Sequence, residues 1–107
     1  MDEGTMELRV SSSTQVKQLA TSILRNLDEG RALVIACIGM HPLNTAMKAV
    51  SVANGEAAQN GFLLSLVPSF KEREFPDRHT SEMIVQTALR FFVVRLSLFV
   101  QPPGTRA

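Results

Sequence analysis

The chain is short, rich in apolar residues and close to neutral. Its 107 residues suffice for one domain, and 45% hydrophobic against 20% charged residues excludes a disordered chain. Eleven Lys and Arg against ten Asp and Glu give a net charge of +1, so any binding of nucleic acid must come from how the cations are distributed and not from their total.

Three features bear on the compartment. Cys37 is the only cysteine, so an internal disulfide is excluded, and it suits its apolar run as a small hydrophobic residue. The N-terminal residues 1–4 are acidic and polar, unlike a secretory signal. The most apolar stretch, 91–100, contains Arg95 and is about half the length that a membrane span requires. We therefore expect a cytoplasmic protein that makes no contact with a membrane.

The first predicted unit is a strand followed by a helix. Apolar and polar residues alternate over 6–10, which predicts a half-buried strand. Apolar residues at helical spacing predict an amphipathic helix over about 14–28, which follows the serine- and threonine-rich segment 11–14 and ends at Gly30. The other side of this helix carries a row formed by Lys17, Thr21 and Arg25.

The second unit repeats this order. The continuous apolar run 33–38 predicts a strand covered on both faces, and Gly39 ends it. His41-Pro42 then starts a helix over about 42–54, where Asn54-Gly55 supplies a stop signal. The side of this helix opposite its apolar stripe carries Asn44, Lys48 and Ser51.

The remaining residues predict a long hairpin. Strands are predicted over 62–67 and 87–100, with Pro76-Asp77 as a turn signal between them. A short helix over 81–89 stays open as an alternative, because Ser81 followed by Glu82 is a possible helix start. Residues 101–107 are expected to form a frayed tail.

This order of elements predicts the fold class. A β-α-β-α-β-β order with right-handed crossovers gives a two-layer α/β sandwich, in which two helices cover one face of a mixed four-stranded sheet. The last three strands are apolar on both faces, so the second face needs a cover. The C-terminal segment and a second subunit are both possible covers. We favour the subunit, and expect a homodimer or higher homo-oligomer.

Several motifs, in chain order, resemble one family. They are Ile35-Ala36-Cys37-Ile38-Gly39, Leu43-Asn44, Lys48-Ala49-Val50, Val67-Pro68-Ser69-Phe70 and Thr87-Ala88-Leu89-Arg90. Together they resemble the stage V sporulation protein S family, over about residues 6–95. The resemblance implies a single Alba-like domain over 1–107 with an extension over 96–107, nucleic-acid binding as a dimer through loops, helix ends and hairpin, and a regulatory role in sporulation. The chain departs from the family in a shorter loop after strand one that lacks a lysine, in a longer hairpin and in the extended tail.

Two groups of candidate binding residues follow. Gly39 leads into a helix N-terminus whose free N–H groups favour a phosphate, and Asn44 and Lys48 add a donor and a charge. In the alternating segment 70–75, one face carries Lys71, Arg73 and Phe75, a combination suited to backbone contact and base stacking. Arg78 extends this face past the turn, and Lys17 adds a cation on the first helix. Each group also has a purely structural explanation, because alternating charges protect hairpin edges and solvated helix faces carry such rows.

No other chemistry is indicated. His41, His79 and Cys37 do not have the spacing of metal ligands, and no nucleophile elbow, paired carboxylates or phosphate loop is present. We expect no cofactor, no metal and no enzyme. The leading hypothesis is a non-enzymatic, sequence-tolerant DNA- or RNA-binding protein. The alternative is a protein-interaction or assembly module that uses the apolar C-terminal strand, which the low net charge favours.

Overall fold

The computed structural model describes residues 4–98, apart from the side chain of Phe75. The elements are β1 (Thr5–Val10), α1 (Val16–Asp28), β2 (Ala32–Cys37), α2 (Met40–Gln59), β3 (Phe62–Pro76) and β4 (Met83–Ser97). The expected frayed tail over 101–107 and the end of the predicted last strand lie outside the described residues.

The four strands form one mixed sheet in the order β1-β2-β4-β3. β1 and β2 are parallel, whereas β4 is antiparallel to both β2 and β3. The connection from β1 to β2 runs through α1, and the connection from β2 to β3 runs through α2, as the strand–helix–strand order requires. The predicted β-α-β-α-β-β sandwich with a mixed four-stranded sheet is confirmed.

The core lies between the sheet and the two helices. Alternate strand residues face the helices, among them Val10, Ile35, Cys37 and Val93, and all four are buried. The helices contribute the apolar stripes that the sequence predicts, with Ile23 of α1 fully buried. Both helices pack on this face, so the opposite face of the sheet, which we call the open face, has no element above it among the described residues.

α1 differs from its prediction at its start, and α2 differs at both ends, because it begins at Met40, two residues before the predicted start, and also ends later. α1 begins at Val16, two residues late, because the Thr14 hydroxyl accepts a hydrogen bond from the Ser11 backbone N–H at 2.9 Å and closes a turn instead of capping the helix. α2 continues past Asn54-Gly55 to Gln59. The Asn54 Oδ1 accepts a hydrogen bond from the Leu64 backbone N–H of β3 at 2.9 Å, and the positive φ that ends the helix is found at Gly61, at 86°.

The hairpin is longer than the predicted strands. β3 runs through Pro68 to Pro76, which is possible because β3 is an edge strand that can lack one ladder donor. β4 begins at Met83, so the alternative helix over 81–89 is wrong. The register pairs Lys71 with Ala88 and Pro76 with Met83. Because β2 pairs with β4 only as far as Leu89, residues 71–88 form a two-stranded projection, which we call the arm.

Arg95 explains how a charge fits into the apolar last strand. Its guanidinium lies 4.4 Å from the centre of the Phe62 ring, and its Nη1 lies 3.1 Å from Asp28 Oδ1 at the end of α1. Arg95 therefore links β4 to α1 on the helix side of the sheet and takes no part in the open face.

Candidate functional site

The open face of the sheet has two halves of different character. Residues with alternate numbers along each strand point to it, because side chains in a strand alternate between faces. Beside the start of β3 and the end of β4 its exposed side chains are mainly apolar, namely Leu63, Val67, Val94 and Leu96, with the exposed Ser65 between them. Where the arm leaves the sheet, charged side chains replace them. We call these two regions the apolar patch and the arm root.

A concavity of about 980 Å³ lies at the arm root. Cationic side chains from three strands line it, namely Arg9 of β1, Arg90 of β4, and Lys71 and Arg73 of β3. Further lining comes from the apolar residues Val34, Ala36, Ala88 and Phe92 and from the polar residues Ser11 and Ser12. The concavity therefore combines apolar surface with a group of positive charges.

Glu7 is the carboxylate in this group of cations. Its Oε1 lies 3.1 Å from Nη2 of Arg90, and its Oε2 lies 3.4 Å from Nε of Arg9. The strand register explains the contact, since Glu7 pairs with Val34, which in turn pairs with Phe92 beside Arg90. Glu7 thus lies between Arg9 and Arg90. Its negative charge offsets part of the attraction that the two arginines would exert on a polyanion.

The pairing leaves Arg90 incompletely satisfied. Its Nε is buried and has no hydrogen-bond partner in the part of the chain that the structure describes. A guanidinium can bind an anion through two parallel N–H donors, whereas the contact to Glu7 is made by Nη2. Arg90 therefore keeps donor capacity that Glu7 does not use.

Lys71 and Arg73 carry free positive charge. Within residues 4–98 neither forms an ion pair, and both are exposed. Four cations and Glu7 give the concavity a local charge of +3, against +1 for the whole chain. The low net charge thus conceals one strongly basic region.

The structure brings some predicted site residues together and separates others. Lys71 and Arg73 lie on one face of the arm, as the alternation predicts, with Phe70, Glu72 and Glu74 on the other. Phe75 belongs to β3, but its side chain lies outside what the structure describes. Arg78 is exposed in the turn at the tip of the arm, away from the concavity.

The predicted residues on the helices lie apart from the concavity. Gly39 precedes α2 with a φ of 96°, and Asn44 and Lys48 are exposed further along that helix; none of the three lines the concavity, although Ile38 and Pro42 of the same segment do. Lys17 lies on the exposed row of α1, on the helix side of the sheet.

Two arginines of the concavity were missed by the sequence analysis. Arg9 alternates with Glu7 on β1, and Arg90 alternates with Phe92 on β4, so each strand carries a polar signal on its open face. That Arg9 and Arg90 lie in one concavity can be predicted only once the strand order is known. β1 and β4 are far apart in the chain, and β2 lies between them in the sheet.

Other chemistry is not assembled in the described residues. No three His, Cys, Asp or Glu side chains come together within residues 4–98. Burial raises the pKa of the Cys37 thiol, which keeps it protonated and makes it a poor nucleophile. Neither helix of the described chain is long and apolar enough to cross a membrane.

Known proteins show what this arrangement is similar to. The model of the family described as Stage V sporulation protein S (SpoVS) matches residues 6–96. The chain belongs to this family. Among solved structures, Alba from Thermoplasma volcanium is similar with a TM-score of 0.63, covering 82% of this chain and 98% of that chain at 4% sequence identity. At that identity the likeness to Alba shows the fold alone. Both the SpoVS resemblance and the Alba-like fold are therefore confirmed.

Proposed function

We propose that the chain is a non-enzymatic, cytoplasmic protein that binds DNA or RNA through the phosphate backbone without reading sequence. The observation that carries this proposal is the convergence of Arg9, Arg90, Lys71 and Arg73 at the arm root. Cations that come together from several strands suit contacts to phosphate oxygens, which carry no sequence information. The SpoVS resemblance implies the same class of ligand.

The mechanism is neutralisation of phosphates by side chains that are already in position. Lys71 and Arg73 point to one side of the arm and have no carboxylate to displace within the described residues. Each phosphate contact releases condensed counterions, so affinity falls as the salt concentration rises. Arg78 at the arm tip and Lys48 on α2, with Gly39, Asn44 and Lys17, provide secondary contacts for a ligand that extends beyond the concavity.

A second copy of the chain is proposed to cover the apolar patch. Leu63 and Val67 are 40% and 51% exposed, and Val94 and Leu96 are 38% and 50% exposed, so four large apolar side chains face water side by side. A chain of this size buries a modest core, and pairing two such surfaces adds apolar burial. Phe92 lies where the two regions meet, since it pairs with Val67 of the patch, whereas the arm projects beyond the patch on each subunit. Two arms are then available to one ligand.

The apolar patch also supports the second candidate function, a protein-interaction or assembly module. In that case the patch on β4 and β3 is the functional surface, and the cations serve only to keep the protein soluble. The two functions differ in what salt does, because apolar contacts do not weaken when salt is added.

The test is fluorescence anisotropy with labelled duplex and single-stranded oligonucleotides at about 50 and 200 mM salt. For the double variant Lys71→Ala/Arg73→Ala we expect affinity for every sequence to fall about 10- to 100-fold and the slope of log K against log salt to lose about two ions. Both residues are exposed, so the unfolding temperature should not change.

The matched control changes two charges on the other face of the same arm. Glu72→Gln/Glu74→Gln raises the net charge by two, yet removes no proposed contact, so binding should stay equal or tighten slightly. If wild type shows no salt-dependent binding at the lower salt concentration, the proposal is wrong and the interaction module is favoured.

A further inference from the structure

The geometry points to a more specific ligand for the arm root: a nucleotide unit of a single strand, with its unpaired base on the apolar floor and its phosphate on the arginines. This inference rests on the proposed function. It adds that an unpaired base enters the concavity, which contact with the backbone alone does not require.

The first step is the mixed lining. A site that only neutralised phosphates would need cations on a polar surface, but here apolar residues form part of the lining, and of these Ala36 and Phe92 keep accessible surface. Val34 and Ala88 are buried, whereas the Phe92 ring is 44% exposed on the same surface. An accessible aromatic ring beside cations is the arrangement on which bases of single strands stack.

The second step is size. The concavity is half open, and its volume of about 980 Å³ is large enough for one or two nucleotide units to lie in it. In a duplex the bases are paired and stacked inside, with their faces unavailable to Phe92. A single strand can turn one base out of its stack, and that base then has an apolar surface to cover.

The third step is the position of the phosphate. Glu7 places a carboxylate between Arg9 and Arg90, so this point of the concavity already accommodates an anion. Phe92 follows Arg90 on the same face of β4, two residues on, about 7 Å along the strand. That separation suits a base on the ring and its own phosphate at the arginines. A phosphate that replaces Glu7 also gives the unpartnered Nε of Arg90 an acceptor.

The experiment compares two exposed phenylalanines on opposite faces of the hairpin. Phe92→Ala removes the ring from the concavity, whereas Phe70→Ala removes a ring that is 68% exposed on the other face. We expect Phe92→Ala to weaken binding of a labelled single-stranded oligonucleotide by about 5- to 150-fold and to leave duplex affinity unchanged. Phe70→Ala should change neither. Phe92→Leu, which keeps an apolar side chain, should show the same selective loss, and thermal unfolding verifies the fold of each variant.

Competition identifies the part of the ligand that binds. Adenosine monophosphate should displace the single strand from wild type at lower concentration than inorganic phosphate does, because only the nucleotide carries a base. Equal competition by the two, or an unchanged single-strand affinity in Phe92→Ala, would overturn the inference while leaving the phosphate-binding function intact. A mononucleotide that binds more tightly than the strand would overturn the assignment to a strand. Wild type that binds neither strand nor duplex removes the proposed function itself.

Discussion

At the residue scale, the arm root depends on the balance between Glu7 and its two arginines. The Glu7 and Arg90 side chains are only 20% and 26% exposed, whereas the Arg9 side chain is 71% exposed. Glu7 thereby weakens the attraction of this surface for polyanions. The same carboxylate also holds the guanidinium groups of Arg9 and Arg90 in place. A single carboxylate sets how much of the local charge of the arm root is available to a ligand.

Changing Glu7→Gln tests this balance. The amide keeps the size and a hydrogen-bond acceptor but removes the negative charge, so we expect nucleic acid to bind more tightly and the salt slope to increase by one to two ions, at about one ion per cation released. Stability should fall by about 1 kcal/mol, because two arginines lose an ionic partner on a partly exposed surface. Anisotropy titrations and thermal unfolding measure the two effects. Weaker binding in Glu7→Gln would show instead that the pair orients the arginines for the ligand.

At the element scale, local patterns predicted every helix and strand, and tertiary contacts decided where they end. Asn54-Gly55 and Asn60-Gly61 are equivalent stop signals in the sequence, and the helix ends at the second, where Gly61 adopts a φ of 86° and Asn54 instead contacts Leu64 of β3. The prediction ends β3 at residue 67, whereas the strand continues to Pro76, because the alternating charges of the arm resemble a polar loop until β4 pairs with them. The site was only partly predictable: Lys71 and Arg73 follow from alternation within one strand, but Arg9 and Arg90 meet only through the strand order.

Two glycines allow a test of these helix ends. Gly55 lies within α2 and Gly30 follows α1 with a φ of 78°, and a Cβ atom at either position would meet nothing within 4 Å. The two sites therefore differ in backbone conformation and not in space. Gly55→Ala should stabilise the protein by about 0.5–1 kcal/mol, because alanine is the better helix former. Gly30→Ala should destabilise it by about 1 kcal/mol, because an L residue is strained at positive φ. Urea unfolding measures both, and a destabilising Gly55→Ala would contradict the observed length of α2.

At the scale of the whole molecule, the proposed function depends on how charge and apolar surface are divided. The chain has a net charge of +1, yet the open face separates a basic arm root from an apolar patch. In the proposed function, this division gives the ligand and a second subunit different places on one face of the sheet.

The proposed dimer is tested by a pair of substitutions to glutamate. Leu96 in the apolar patch and Val52 on the outer side of α2 are each 50% exposed. Leu96→Glu should shift the protein from dimer to monomer, because it places a charge in the proposed interface, whereas Val52→Glu should leave the dimer intact. Sedimentation velocity at micromolar concentration distinguishes the two. A wild-type protein that sediments as a monomer would contradict the dimer.

The central claim, that nucleic acid binds at the arm root of the open face, is tested most directly by mapping amide chemical shifts in ¹⁵N-labelled protein as a short single-stranded oligonucleotide is added. We expect the largest changes at residues of the concavity, namely Arg9, Lys71, Arg73, Ala88, Arg90 and Phe92, and we expect added salt to reverse them. Changes confined to the row of Lys17 and Arg25 on α1, or to the start of α2 around Asn44, would contradict the account, as would a spectrum that the oligonucleotide does not change.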